Sequence, residues 1–283
     1  MICPLRGGGD EECGATDRSA GRRRDIVRVL VLGGTEEARR LAGALRGDGH
    51  EVTYALAGVT PRPRLPDGVD VRVGGFGGAA GLARWLVARG VDVLVDATHP
   101  FARRMQAHAA EAAAQAGISV LRLARPLWKP DVGDRWIEVE NLEAAALVPS
   151  RGARVLASVG SRGLADFRRR GDLWLTARVM TPPVFSLPPR WRIIMGGPRR
   201  TVAAEAALLR ALRCQLLICR NSGGAAGWPR VLAARLLGLP VVMARPPRPP
   251  AGVSVFHSAP ALREALAAGA EALSCGGGAL SFS

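Results

Sequence analysis

The sequence predicts an α/β protein with two Rossmann-like domains, mostly parallel sheets and a cleft between them. Three observations carry this expectation. Short β-branched runs alternate with longer Ala/Leu/Arg stretches, the pattern of strands joined by crossover helices. Polar or glycine-rich turns follow several of those runs, in LGGT (32–35), GGFGG (74–78), DATHP (96–100) and NSGG (221–224). A Pro/Gly/Asp-rich break, LWKPDVGDRW (127–136), interrupts the alternation, which then begins again.

The elements follow in order. VRVLVLGG (27–34) reads as the first strand, and the next stretch places Ala38, Leu41, Ala42 and Leu45 at helical spacing. Strands are expected at 50–58, 69–75, 91–98 and 118–126, with helices over 78–90 and 100–117. Pro100 is expected in the first turn of the latter helix, with Thr98 or His99 as its cap. The second half repeats the alternation in 153–167, with strands in 173–180 and around 191–197, a helix over 201–213, then 215–224, a helix through 230–238, and 239–247. The expected organisation is an unstructured extension (1–25), a dinucleotide-binding-like domain (26–130), a second α/β domain (131–255) and a helix with a flexible tail (256–283).

Composition narrows the function classes. The 283 residues are 48% hydrophobic with a mean hydropathy of +0.11, enough for ordinary buried cores. No apolar run is long enough to cross a membrane and no secretory signal is evident, so a cytoplasmic protein is expected. Five cysteines without a CxxC pair suggest neither a disulfide framework nor a metal site. The net charge of +15 raises the question of nucleic acid, but Lys129 is the only lysine, the arginines are scattered, and few aromatics accompany them. The charge suits an anionic small molecule instead.

In open α/β sheets ligands bind beyond the carboxyl ends of strands. Gly33, Gly34 and Thr35 would bring backbone amides and a helix N-terminus to a pyrophosphate, although the full GxGxxG is absent. The second strand ends without a carboxylate, and Thr60, Arg62 and Arg64 would suit the 2′-phosphate of NADP; a plain basic turn is the alternative. Gly75, Phe76 and Gly77 suggest backbone packed on a flat ligand, or else a tight turn. Helix initiation accounts for Thr98 and Pro100, which leaves Asp96 and His99 as candidates for chemistry, with His99 a proton donor or an anion contact.

LGGTEEA (32–38), LAG (56–58), RVGGFGG (72–78), DATHPFA (96–102), LRLARPLW (121–128), RNSGG (220–224) and LGLPVVMARP (237–246) together resemble the precorrin-6A reductases of cobalamin biosynthesis, cobalt-containing branch included, over roughly residues 26–250. The resemblance implies a two-domain reductase using NADPH, with NADH possible, to reduce a ring double bond of precorrin-6A or cobalt-precorrin-6A. The substrate is an anionic corrinoid, and the enzyme a monomer or small homo-oligomer. It implies cofactor contacts at Gly33, Gly34, Thr35, Glu36, Thr60, Arg62, Gly75, Thr98, Asn221, Ser222, Gly223 and Gly224. Substrate contacts fall on Phe76, Gly77, Pro100, Phe101, Gly160, Arg178 and Arg220, and catalytic roles on Asp96 and His99.

Three departures stand out: Arg220 and Arg230 where the family commonly has lysine, and MGGPRR (195–200) where it commonly reads RGPF. Two other readings remain. One is a reductase resembling the dihydrodipicolinate reductases, which also end a Rossmann strand in an Asp–x–Thr–x–Pro pattern. The other is a noncatalytic tetrapyrrole or nucleotide carrier.

Overall fold

The computed structural model describes residues 26–58 and 64–275, the last six of these by backbone alone. They form two six-stranded sheets in which every pairing is parallel. In the first half, β1 (Arg28–Leu32), α1 (Glu36–Gly47), β2 (Glu51–Leu56), β3 (Asp70–Val73), α2 (Gly78–Ala88), β4 (Val93–Asp96), α3 (Arg103–Ala116) and β5 (Ser119–Leu123) follow one another. The second half runs through β6 (Trp136–Val139), α4 (Leu142–Leu147), β7 (Arg154–Ser158), the single turn α5 (Gly160–Gly163), β8 (Trp174–Val179), β9 (Arg192–Met195), α6 (Val202–Ala211), β10 (Leu216–Arg220), α7 (Trp228–Leu236) and β11 (Val241–Ala244). It closes with β12 (Ser254–Phe256) and α8 (Ala259–Cys275).

The sheet orders are β12-β5-β4-β1-β2-β3 and β6-β11-β10-β7-β8-β9. Each is a doubly wound order that reverses at one point, between β1 and β4 in the first sheet and between β7 and β10 in the second. One strand crosses between the halves: β12 returns from the end of the chain to pair with β5 of the first sheet, while β6, which opens the second half, pairs with β11 of its own sheet. The sequence reading assigned neither strand: Ser254–Phe256 is only three residues long, and Trp136–Val139 lies at the end of the Pro/Asp-rich break.

Local chemistry explains why these segments fold so. Thr35 caps α1 by accepting from the amide of Ala38, and Ala38, Leu41, Ala42 and Leu45 are buried against Val29, Val31 and Tyr54. Each such leucine contributes roughly 1.5–3 kcal/mol by leaving water. α8 joins the same core through Leu262 and Leu266, and Arg263 donates to both carboxylate oxygens of Asp48 at 2.6 and 2.5 Å.

The start of α3 departs from expectation. The helix begins at Arg103, and its preceding residue, Ala102, offers no side-chain cap. The Thr98 hydroxyl instead donates to Asp96 Oδ1 at 2.6 Å, which holds it away from the helix. Residues 99–102 form a turn in which Ala102 N donates to His99 O at 2.8 Å. From inside the helix, Gln106 donates to the carbonyls of His99 and Pro100 at 3.2 and 3.0 Å, so the turn is held by the helix rather than capping it.

Candidate functional site where the two sheets reverse

The two reversal points face one another. Arg220, at the end of β10, lies with its guanidinium carbon 5.1 Å from the ring centre of Phe101, in the loop after β4. A Cβ on Gly160, at the start of α5 just after β7, would stand 3.3 Å from the same guanidinium. Phe101, Gly160 and Arg220, three residues far apart in sequence and all expected at the substrate, are thus brought together.

In the first crevice, several expected ligand contacts have partners within the protein. The amide of Gly33 donates to Ala55 O at 2.8 Å and that of Gly34 to the Tyr54 hydroxyl at 3.1 Å, so neither points at a pyrophosphate. Gly33 is glycine for a packing reason, since a Cβ there would lie 2.2 Å from the Tyr54 ring. Thr35 accepts from Ala38 and donates to Ala97 O at 3.1 Å, tying the two crevice loops together. Glu36 pairs with Arg39 and Arg40 on its own helix; Arg39 first, then Arg40, holds its carboxyl down at about 2. Thr60 and Arg62 lie outside the described residues.

The loops after β1 and after the edge strand β3 do offer bare backbone. Gly34, Gly74, Gly77 and Gly78 have φ of +107°, +116°, +81° and +86°, and a Cβ on any of them, or on Gly75, would meet nothing within 4 Å. Such a shelf permits close approach of a flat group. Phe76 is not its upper face: the ring packs edge-on to Trp85 at 5.5 Å, with the Arg72 guanidinium 4.4 Å above it.

Asp96 is 2% exposed, and its carboxylate is committed to Arg122 and to the amide and hydroxyl of Thr98. Arg178 is likewise withdrawn from the substrate role expected of it. It is 4% exposed, and Glu205 holds it in a two-point pair at 2.6 and 2.8 Å. The same Glu205 accepts from Arg199 N at 2.7 Å, anchoring the MGGPRR segment. Pro100 is buried, with Gln106 on its carbonyl.

The NSGG loop seats the connection between the halves. Asn221 accepts from Trp128 N at 3.0 Å and donates to Trp128 O at 2.9 Å, a closed two-bond clamp. Trp128 Nε1 donates to Gly224 O at 3.0 Å. A Cβ on Gly223, where φ is +61°, would fall 2.2 Å from Pro126 O. Arg125, in this connection, bridges to Glu37 of α1 at 3.0 Å. Glu37, Arg125 and Trp128 lie in LGGTEEA (32–38) and LRLARPLW (121–128), yet neither these residues nor Tyr54 show a role in sequence, because their partners come from distant segments.

His99 sits at the meeting point. Its Nδ1 accepts from Phe101 N at 3.2 Å, which assigns the proton of the neutral ring to Nε2. Burial, then the charges of Arg220, Arg125 and Arg230, depress its pKa to about 3. At neutral pH it is therefore a neutral hydrogen-bond donor. Burial and the neighbouring Arg230 also pull Arg220 down to about 10. The corner formed by His99 and Arg220 is cationic and hydrogen-bond-donating, suited to an anionic group.

The profile of the family described as precorrin-6x reductase CbiJ/CobK matches residues 28–267. A precorrin-6A reductase of Rhodococcus erythropolis is 44% identical over 240 residues, covering 84% of this chain and 96% of that protein. A cobalt-precorrin-6A reductase of Methanothermobacter thermautotrophicus is 30% identical over 249 residues, covering 83% and 81%. The solved structure of a CobK precorrin-6A reductase superposes with a TM-score of 0.76 at 37% identity, covering 90% of this chain and 99% of the other. A match over most of the chain and in both sheets leaves one conclusion: the chain belongs to the precorrin-6x reductase CbiJ/CobK family.

Proposed function

We propose that this reductase takes hydride from NADPH and reduces one ring double bond of cobalt-free precorrin-6A, giving precorrin-6B. The observation that carries the reading is the meeting of both reversal points at His99, Phe101, Gly160 and Arg220. A flat, polycarboxylate macrocycle requires cations and hydrogen-bond donors against its rim, which Arg220 and His99 would supply there. The greater identity to the Rhodococcus precorrin-6A reductase than to the archaeal cobalt-precorrin enzyme favours the metal-free substrate.

The first crevice fits a dinucleotide by its position at the sheet reversal and by its glycine shelf. Gly34, Gly74, Gly75, Gly77 and Gly78 would lie against it, while Gly33, Thr35, Thr98 and Asp96 keep those loops in place. NADPH supplies the hydride when bound. The protein's work is then to orient and to offset charge. His99 donates through Nε2–H to an oxygen of the ligand and water delivers the proton, because a neutral imidazole does not release one readily. Asp96 positions Thr98 and Arg122 and takes no part in proton transfer. The protein divides functionally into two units, each centred on one sheet, with the chain end serving the first.

Purified protein supplied with precorrin-6A and either NADPH or NADH, with the cofactor band and the macrocycle band followed together, tests this. Oxidation of NADPH matched by macrocycle conversion is expected. Conversion only with NADH, or only of the cobalt-containing substrate, would overturn the corresponding part, and binding without oxidation would favour the carrier.

A further inference from the structure

Three arginines of the described chain are 5% exposed or less: Arg122, Arg178 and Arg230. A charge withdrawn from water this far is costly unless paired. Arg122 has Asp96 and Arg178 has Glu205. Among the described residues Arg230 has no carboxylate, and its Nε has no hydrogen-bond partner at all.

The surroundings of Arg230 compound the cost. Its guanidinium lies 5.6 Å from the ring centre of Trp128, and a Cβ on Gly227 would stand 3.0 Å from it. Its neighbours are a buried thiol, Cys219, and a second cation, Arg220, for which no ion pair is formed among the described residues either. The faces of Trp128 and Phe101 give the two guanidiniums only partial compensation. Two cations without a carboxylate partner among the described residues thus stand on consecutive elements, Arg230 against Trp128 and Arg220 against Phe101, whose ring centre is 6.0 Å from that of His99, a ring with one N–H left to donate.

We propose that Arg220 and Arg230 form a receptor for one oxyanionic group, a carboxylate or a phosphate of a bound ligand, with His99 Nε2–H as its third donor. The receptor rests on the reading that this junction takes an anionic ligand, and it adds which pair of residues recognises which chemical group. The counter-charge arrives with the ligand, so filling the site removes the repulsion between the arginines. The pair is two-sided, with Arg220 at the end of a strand and Arg230 on the following helix. Two guanidiniums therefore approach one group from separate elements, which a single surface cation cannot do.

The experiment needs no turnover. The full chain is heated with inorganic phosphate, acetate or chloride at matched ionic strength, for the parent, Arg230→Met and Arg220→Gln. The parent is expected to gain thermal stability with phosphate and acetate beyond chloride, with a measurable saturation. Arg230→Met is expected to melt at or above the parent temperature, since it removes an uncompensated buried charge, and to weaken phosphate binding about tenfold to a hundredfold. Arg220→Gln, a milder change, is expected to weaken it similarly.

The two sources of the group are separated by titrating the variants with NADPH alone and then measuring KM for precorrin-6A. A loss of NADPH affinity assigns the group to a cofactor phosphate. Unchanged NADPH affinity with a raised KM assigns it to a substrate carboxylate. A parent that responds to phosphate no more than to chloride, or an Arg230→Met protein that melts well below the parent and keeps its phosphate response, would overturn the receptor. A parent that turns over without any anion response sinks the receptor and spares the reductase reading; anion binding without turnover does the reverse.

Discussion

At His99, three guanidiniums and burial act against a fourth positive charge. In the unfolded chain the ring takes a proton near its ordinary value of 6.5, whereas in the fold it does so only near 3. Between those values the unfolded state binds more protons, so this residue removes stability as pH falls from 6.5 towards 3, by at most ~1.4 kcal/mol per pH unit. His99→Gln is expected to flatten that part of the stability profile measured by urea unfolding. In turnover, His99→Ala is expected to keep kcat within about tenfold while raising KM; a loss of kcat of the order of 10³ would instead make the imidazole the acid. Gly33 offers a second test at this scale. Gly33→Ala places a methyl 2.2 Å from the Tyr54 ring and is expected to cost about 1–3 kcal/mol of folding stability, read as a lower melting temperature. The junction of His99 and Phe101 with the β4 strand end was legible from sequence. That the Gly33 and Gly34 amides already have acceptors was not, because the Tyr54 hydroxyl comes from the neighbouring strand.

Among the elements, the periodic ones were the legible ones: α1, α2, α3, α6 and the buried strands all fall inside the segments their patterns mark. The loops were ambiguous, since a glycine-rich turn after a strand has the same composition whether it holds a ligand or another piece of chain. NSGG is the clearest case, its Asn221 and Gly223 seating residues 126–128. Gly223→Ala is expected to displace that connection and expose it, seen as faster limited proteolysis near residues 125–130 and a lower melting temperature. Unchanged cleavage would show that the seat tolerates movement. β6 and β12 were silent for a different reason, since three or four residues carry too little periodicity to declare a partner sheet. The return of the chain end has its own consequence: Leu266→Ala, fully buried on α8, is expected to cost about 2–5 kcal/mol although it lies far along the chain from the strands β1, β2, β4 and β5 whose core it joins.

For the whole molecule, the repetition of one doubly wound order in both halves sets two reversal points against each other, and β12, returning from the end of the chain to β5, ties the second half to the first sheet. The α/β class and the two-part plan were legible because strand and helix alternation survives averaging over many residues. The charge of +15 was uninformative as a total and informative only in position. Most arginines lie on the surface or in pairs, whereas the few at the junction face a place where an anion would be welcome. The central claim is that this junction brings a nicotinamide cofactor and a corrinoid together for direct hydride transfer. The most direct measurement is the mass of the macrocycle after turnover with NADPH deuterated at the transferring position of the nicotinamide. The expected product carries one deuterium from the correctly labelled face and none from the opposite face; a reduced product without deuterium from either, or no reduction at all, would contradict it.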